Sequence, residues 1–239
     1  MSGKKLPYEI KTQAIDYVTS AAKAALGVVP FAGSLLAEVA GSIIPNQRVD
    51  RIADYAFKLQ ERIEQLEEVQ VRSQLDNEEF TDLLEESLRQ ASRATSEARR
   101  EYLASLVANS LNSDAVEHVE SKHLMRILGE LNDVEVLWLR FFHEPTIEGD
   151  KAFRALHAEV FRPIAASIGS SRDKLDDHAL QKSYKDHLVQ LGLVDEHFRM
   201  SRDGVPEYDK HTGKPSLSYR QASPLGRLLL RSIGMIFVE

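Results

Sequence analysis

Leu188-Val-Gln-Leu-Gly-Leu-Val194 decides how the C-terminal half of this chain is read. An apolar helical face runs out at Leu191, and Gly192 stands where a helix commonly stops in the left-handed conformation open to glycine. Leu193-Val-Asp-Glu-His-Phe198 then alternates loosely, as a strand would. Gly204, Pro206, Gly213 and Pro215 punctuate a polar turn region. Ser216-Leu-Ser-Tyr-Arg-Gln221 alternates cleanly and reads as the returning strand. Ser223-Pro224 is a helix cap followed by proline at the first helical position, so Leu225 to Ile233 is expected to be helical. Met235-Ile-Phe-Val238 is a short apolar tail.

Immediately upstream, Asp150 caps an expected helix bearing Phe153, Leu156, Val160, Phe161 and Ile164, and the polar stretch Ser171 to Asp177 separates it from a helix ending at Leu191. The order helix, helix, strand, turn, strand, helix resembles a winged helix. In a DNA reader the helix from about Asp177 to Leu191 would enter the major groove. It offers Gln181, Lys182, Lys185 and Gln190, and the wing offers Lys210, Lys214 and Arg220, which suit phosphate contacts better than base reading. Asp177 and Asp186 on the same helix would repel phosphates. A winged helix used for protein contact or as a structural cap therefore ranks ahead of one that binds nucleic acid.

The N-terminal half reads as helices throughout. Residues 8–28 and 30–44 form two, the second opened by Pro30 and closed by Pro45. Residues 46–73 carry Ile52, Ala56, Leu59, Ile63 and Leu66 in a 4-3-4-3 spacing, a seam for a helical hairpin. Asp76 with Glu79 forms an expected capping box. The helix after it presents Phe80, Leu84, Ser87, Leu88 and Ala91. Thr95 or Ser96 caps a helix burying Tyr102, Leu103, Leu106, Val107 and Leu111. Asn112-Ser-Asp114 breaks it, Ser121 starts another through Leu131, and Asn132-Asp133 caps the run Val136 to Phe142. The expectation is a mainly α chain in two parts. Residues 1–131 form a multi-helix bundle and 132–239 a winged-helix-like α+β domain.

Charge separates these parts. The formal net charge of -7 divides into -10 over residues 1–150 and +3 over 151–239. Ten carboxylates against Arg62 and Arg72 make residues 61–86 the acidic peak, which suits a solvated helix face and opposes phosphate tracking. The absence of cysteine excludes disulfides, thiolate metal sites and a cysteine nucleophile.

The segment Ala24 to Ile44 holds one ionisable side chain, Glu38, and is about as long as the roughly 20 residues that span a bilayer. Gly33, Ala37 and Gly41 sit four apart, a face that lets helix backbones approach closely. Phe31, Leu35, Leu36, Ile43 and Ile44 supply apolar contact. A buried core helix, a conditional membrane-inserting or oligomerising element, and a permanent span all fit this pattern. Glu38, Pro30 and three glycines count against the last.

No phosphate loop, dinucleotide fingerprint, nucleophile elbow or HExxH pair occurs. His118 and His123, five apart, fall on different helix faces. No catalytic residue, metal ligand, cofactor or small-molecule substrate is indicated, and no secretory signal is read at Met1 to Glu9. The expected setting is cytoplasmic, with peripheral attachment to the inner membrane open. The expected partner is a protein or a second copy.

Three stretches carry a family likeness. They are Arg99-Arg-Glu-Tyr-Leu-Ala-Ser-Leu-Val-Ala-Asn109, His123-Leu-Met-Arg-Ile-Leu-Gly-Glu-Leu-Asn-Asp133 and Glu135-Val-Leu-Trp-Leu139. Over residues 75–142 the chain resembles the Abi-alpha family of bacterial abortive-infection proteins. The resemblance implies a role in phage defence and transfers no catalytic residue, because the matching positions are apolar or capping. The Gly-rich second helix and the long wing depart from the family pattern.

Overall fold

The structure, a computed structural model, describes residues 49–63, 74, 77–111, 115–146, 149–167, 169–210 and 213–236. The helices expected over 8–28 and 30–44 lie outside these residues. So do the candidate membrane or oligomer contacts Phe31, Gly33, Leu35, Leu36, Ala37, Gly41, Ile43 and Ile44. Among the described residues the chain is mainly helical, with nine helices and one two-stranded antiparallel sheet. It divides into two compact units. One runs to Gly129 and includes Ser232–Gly234, and the other is built on Glu130–Arg231.

The first unit contains α1 (Val49–Ile63), α2 (Glu78–Arg93), α3 (Glu97–Ser110) and α4 (Ala115–Glu130). Of the spacing expected for α1, Ile52, Ala56, Leu59 and Ile63 are buried, joined by Tyr55, while Leu66 lies outside the described residues. α2 answers with Phe80, Leu83, Leu84, Leu88 and Ala91. α3 differs in kind, because Tyr102 to Ala108 are buried without a break, so it is covered on all sides and packs against both α1 and α2. At the buried α1–α2 contact the Tyr55 hydroxyl meets Ser87 Oγ at 2.6 Å, and Ser87 donates onward to the Leu84 carbonyl at 2.7 Å. Burial pushes the Tyr55 phenol well above its ordinary range, so it stays a donor. The rim of α1 and α3 is laced by Lys58 to Glu97 (2.9 Å) and Arg62 to Glu101 (2.5 Å). Exposed pairs of this sort add little stability, so the packed stripes carry the unit.

Two boundaries here differ from expectation. Asn77, not Asp76, caps α2, accepting from the backbone N–H of Glu79 and Phe80. α4 begins at Ala115, so Ser121 lies inside the helix. The residues between them contain no breaker.

The second unit contains α5 (Asp133–His143), α6 (Lys151–Leu156), α7 (Ala158–Phe161), α8 (Arg172–Gln190), β1 (Val194–Phe198), β2 (Leu217–Ala222) and α9 (Pro224–Ser232). Asn132 and Glu135 form a full capping box on α5. The helix expected to run unbroken from Asp150 stops at His157 and restarts. A continuous helix would set Phe153 and Phe161 about 12 Å apart along its axis. The break brings their rings to 5.5 Å. α8 starts at Arg172, within the polar stretch Ser171 to Asp177 expected to precede it, with Asp173 in its first turn where a carboxylate favours the helix dipole.

Gly192 takes φ +71° after α8, as its position implied. β1 and β2 pair antiparallel from Val194 opposite Ala222 to His197 opposite Tyr219, and then slip so that Phe198 faces Leu217. That bulge skips Ser218 and moves Leu217 onto the Arg220 face, which strict alternation would have denied it. Beyond the strands, turns at Ser201–Val205 and Asp209–Lys214 close with Gly204 at φ +75° and Gly213 at φ +67°.

Ser223 caps α9 by accepting from Gly226 N–H at 3.0 Å, and donates to the Gly192 carbonyl at 2.6 Å. Gly226 lies so close to the Leu193 carbonyl oxygen that a Cβ would collide with it, with Leu139 Cδ1 another 3.0 Å neighbour. Gly226→Ala should therefore destabilise by about 1–3 kcal/mol or more, read as a lower denaturant midpoint. Gly129→Ala meets only the Gln90 side-chain amide, at 2.8 Å, which can turn away at the expense of its bonds to Glu86 and the Met125 carbonyl, and should cost less. Equal effects of the two changes would show that the Leu193 approach is not rigid.

Candidate functional site

Four elements of the second unit, α5, α7, α8 and β2, assemble the site. On α5, Trp138, Phe141 and Phe142 stand at i, i+3 and i+4, so they share one face. On α8, His178, Gln181, Lys182 and Lys185 form a matching stripe. The register slip in β2 adds Leu217 beside Arg220. With Phe161, Pro163 and Ile164 these residues line a cleft of about 510 Å³.

Its floor is an aromatic cluster. Phe161 meets Trp138 at 5.1 Å, edge to face, and Phe141 at 5.0 Å, while Phe153 meets His157 at 4.8 Å. Three cations cover its rings. Arg140 lies 4.3 Å from the Phe153 centroid, Arg154 4.4 Å from Phe141, and Lys185 4.0 Å from Trp138. Arg140 also pairs with Asp150 at 2.7 Å. The Phe153 backbone N–H and then Arg140 hold the Asp150 carboxyl below its usual range. Burial, then Arg140, lowers the His157 imidazole.

The charges that were candidates for nucleic-acid contact turn out differently from one another. Arg220 is mostly buried and spends its guanidinium on Glu196 (2.6 Å) and Asp186 (2.9 Å). Lys182 pairs with the same Asp186. Burial opposes the charged Asp186 carboxylate, but Lys182 and Arg220 outweigh it and hold the group below its ordinary range. Lys185 makes no ion pair among the described residues; its ammonium contacts Gln181 Oε1 at 3.1 Å and the Trp138 face. Burial first, and then Arg220, lowers its pKa. Lys210 and Lys214 are exposed around the distal turn and do not line the cleft.

The neighbouring face of α8 opens on a second cleft, of about 630 Å³, that includes Glu135 and His187. Glu135 is buried, yet both its oxygens are used. Oε2 accepts from Asn132 N–H at 2.7 Å and Oε1 meets His187 Nδ1 at 2.8 Å. This pair ties α8 to the start of α5, and sequence reasoning had placed neither residue at a site. The aromatic lining was legible only as core, because i, i+3, i+4 aromatics on a short apolar helix look alike whether they face protein or a cleft. In the first unit, His118 is fully buried with Nε2 at 2.8 Å from Gln74 Oε1. Among the described residues no group of three or more His, Asp and Glu is placed to hold a metal, and no helix is long and apolar enough to cross a membrane.

Because Asp186 neutralises both Lys182 and Arg220, Asp186→Ala should release cationic surface and raise the salt needed to elute the protein from a polyanion column. Asp203→Ala removes a comparable charge that pairs with neither cation, and should shift elution less. Matching shifts would mean that Asp186 contributes only net charge.

No family model, curated protein or solved structure matches this chain.

Proposed function

We propose that this chain is a non-enzymatic, abortive-infection-like phage-defence protein that works through protein–protein interaction, with conditional membrane association through residues 24–44. In this reading its C-terminal half is a winged-helix-like module used for protein contact. The carrying observation is the fate of charge on α8 and β2. Two of the side chains that a nucleic-acid reader would offer to phosphates are drawn into ion pairs within the chain, Arg220 with Glu196 and Asp186 and Lys182 with Asp186, and a third, Lys185, turns onto the Trp138 ring. Cations already paired with carboxylates add little to counterion release.

Exposed apolar side chains favour the same reading. Met200, Val205 and Tyr208 are each more than half exposed, and all lie on the excursion between β1 and β2. Apolar groups gathered on a projecting element commonly mark a protein contact. The defence setting rests on the likeness of residues 75–142 to the Abi-alpha family. The membrane component rests on the apolar composition of residues 24–44.

Phage challenge of cells expressing the full chain tests the proposal. Plaque formation should fall with the wild-type chain and recover with Val205→Asp or Leu35→Asp. Val205→Asp should also leave thermal stability within about 0.5 kcal/mol, as expected for an exposed position. Duplex binding at low salt that weakens steeply with added salt and with Lys182→Ala would replace this reading with a winged-helix DNA-binding regulator.

A further inference from the structure

Lys185 differs from the other cations of its cleft. Lys182 and Arg220 share two carboxylates, Asp186 and Glu196, so three cations face two anions and one positive charge is left over. That charge resides on Lys185, which is held half-buried over Trp138 with a neutral amide oxygen as its polar contact. A cation withdrawn from water without a counter-ion is costly, and an incoming anion would relieve it.

Trp138 supplies a second, independent observation. It is 4% exposed, and its indole N–H is buried with no acceptor among the described residues. Buried donors are nearly always satisfied, so an unanswered indole N–H in the residue beneath Lys185 marks this wall as polar-poor and short of an acceptor. The remaining wall is apolar, with Phe141, Phe161, Ile164 and Leu217. The volume of about 510 Å³ falls within the range of small-molecule pockets.

We propose that the cleft between α5, α7, α8 and β2 binds a small monoanion with a flat apolar body, of the aromatic carboxylate class, its carboxylate paired with Lys185 and its body against Phe141, Phe161 and Leu217. The single surplus charge selects a monoanion. A phosphate dianion would leave one negative charge uncompensated near Asp186 and Glu196. The lowered pKa of Lys185 fits a site made to receive an anion. This inference stands apart from the proposed defence role, since ligand binding is measured on the purified chain.

Calorimetric titration of the full chain with naphthoate, with naphthylmethanol and naphthyl phosphate as neutral and dianionic counterparts, tests it. Naphthoate should bind at one saturable site and more tightly than either counterpart. Trp138 is the single tryptophan, so its emission should change along the same isotherm. Lys185→Met should weaken naphthoate about tenfold or more, the loss expected of one charge-assisted bond, and leave naphthylmethanol unchanged. Leu217→Glu, at a partly exposed position, should also weaken naphthoate, and it decides the matter if Lys185→Met does not fold. Absence of saturable naphthoate binding, preference for the phosphate, or undiminished naphthoate binding by the folded variants would overturn the assignment.

Discussion

The second unit depends on how closely α9 can approach the start of β1. Ser223 accepts from the first turn of α9 while donating to the Gly192 carbonyl, and its own backbone N–H donates to Leu193. One residue thus joins the end of α8, the start of β1, the end of β2 and the start of α9. The junction closes because Gly226 has no side chain to hold it away from the Leu193 carbonyl. Once these four segments converge, the pairing of Val194 with Ala222 is fixed. The cleft-facing positions of β2 are then set relative to α8.

Charge is arranged around that frame with economy. Asp186 serves both Lys182, one helical turn before it, and Arg220 from the sheet. Such a network contributes modestly where water reaches it, since desolvation offsets much of the attraction. Its larger effect is on what the surface presents. It pairs two of the cleft's cations and leaves Lys185, which rests on the Trp138 face, without a carboxylate partner among the described residues. Buried Glu135 follows a related logic, because a carboxylate out of water is tolerated when both its oxygens have partners.

The first unit is organised by burial alone. The stretch Tyr102 to Ala108 of α3 is buried around its whole circumference, and α1 and α2 pack against it with amphipathic stripes. The polar atoms admitted at this contact, Tyr55 and Ser87, satisfy each other and a backbone carbonyl. They add direction to packing that is otherwise non-directional.

Much of this was determined by sequence. Helical stripes, the caps at Ser96, Asn132, Asp150 and Ser223, the stop at Gly192 and both strands depend on neighbours within a few residues, and such local preferences survive in the fold. The tertiary structure decided what depends on distant partners. It broke the helix at His157 so that Phe161 reaches Phe153, Trp138 and Phe141, and it slipped the β2 register so that Leu217 joins Arg220. It also sorted like from like. Lys182 finds Asp186 within its own helix, but Arg220 reaches Asp186 and Glu196 only because folding brings α8, β1 and β2 together, and Lys185 reaches Trp138 the same way. Coulomb interactions fall off over a few ångströms in a protein, so which cation remains unpaired is a property of the assembled fold and not of the chain.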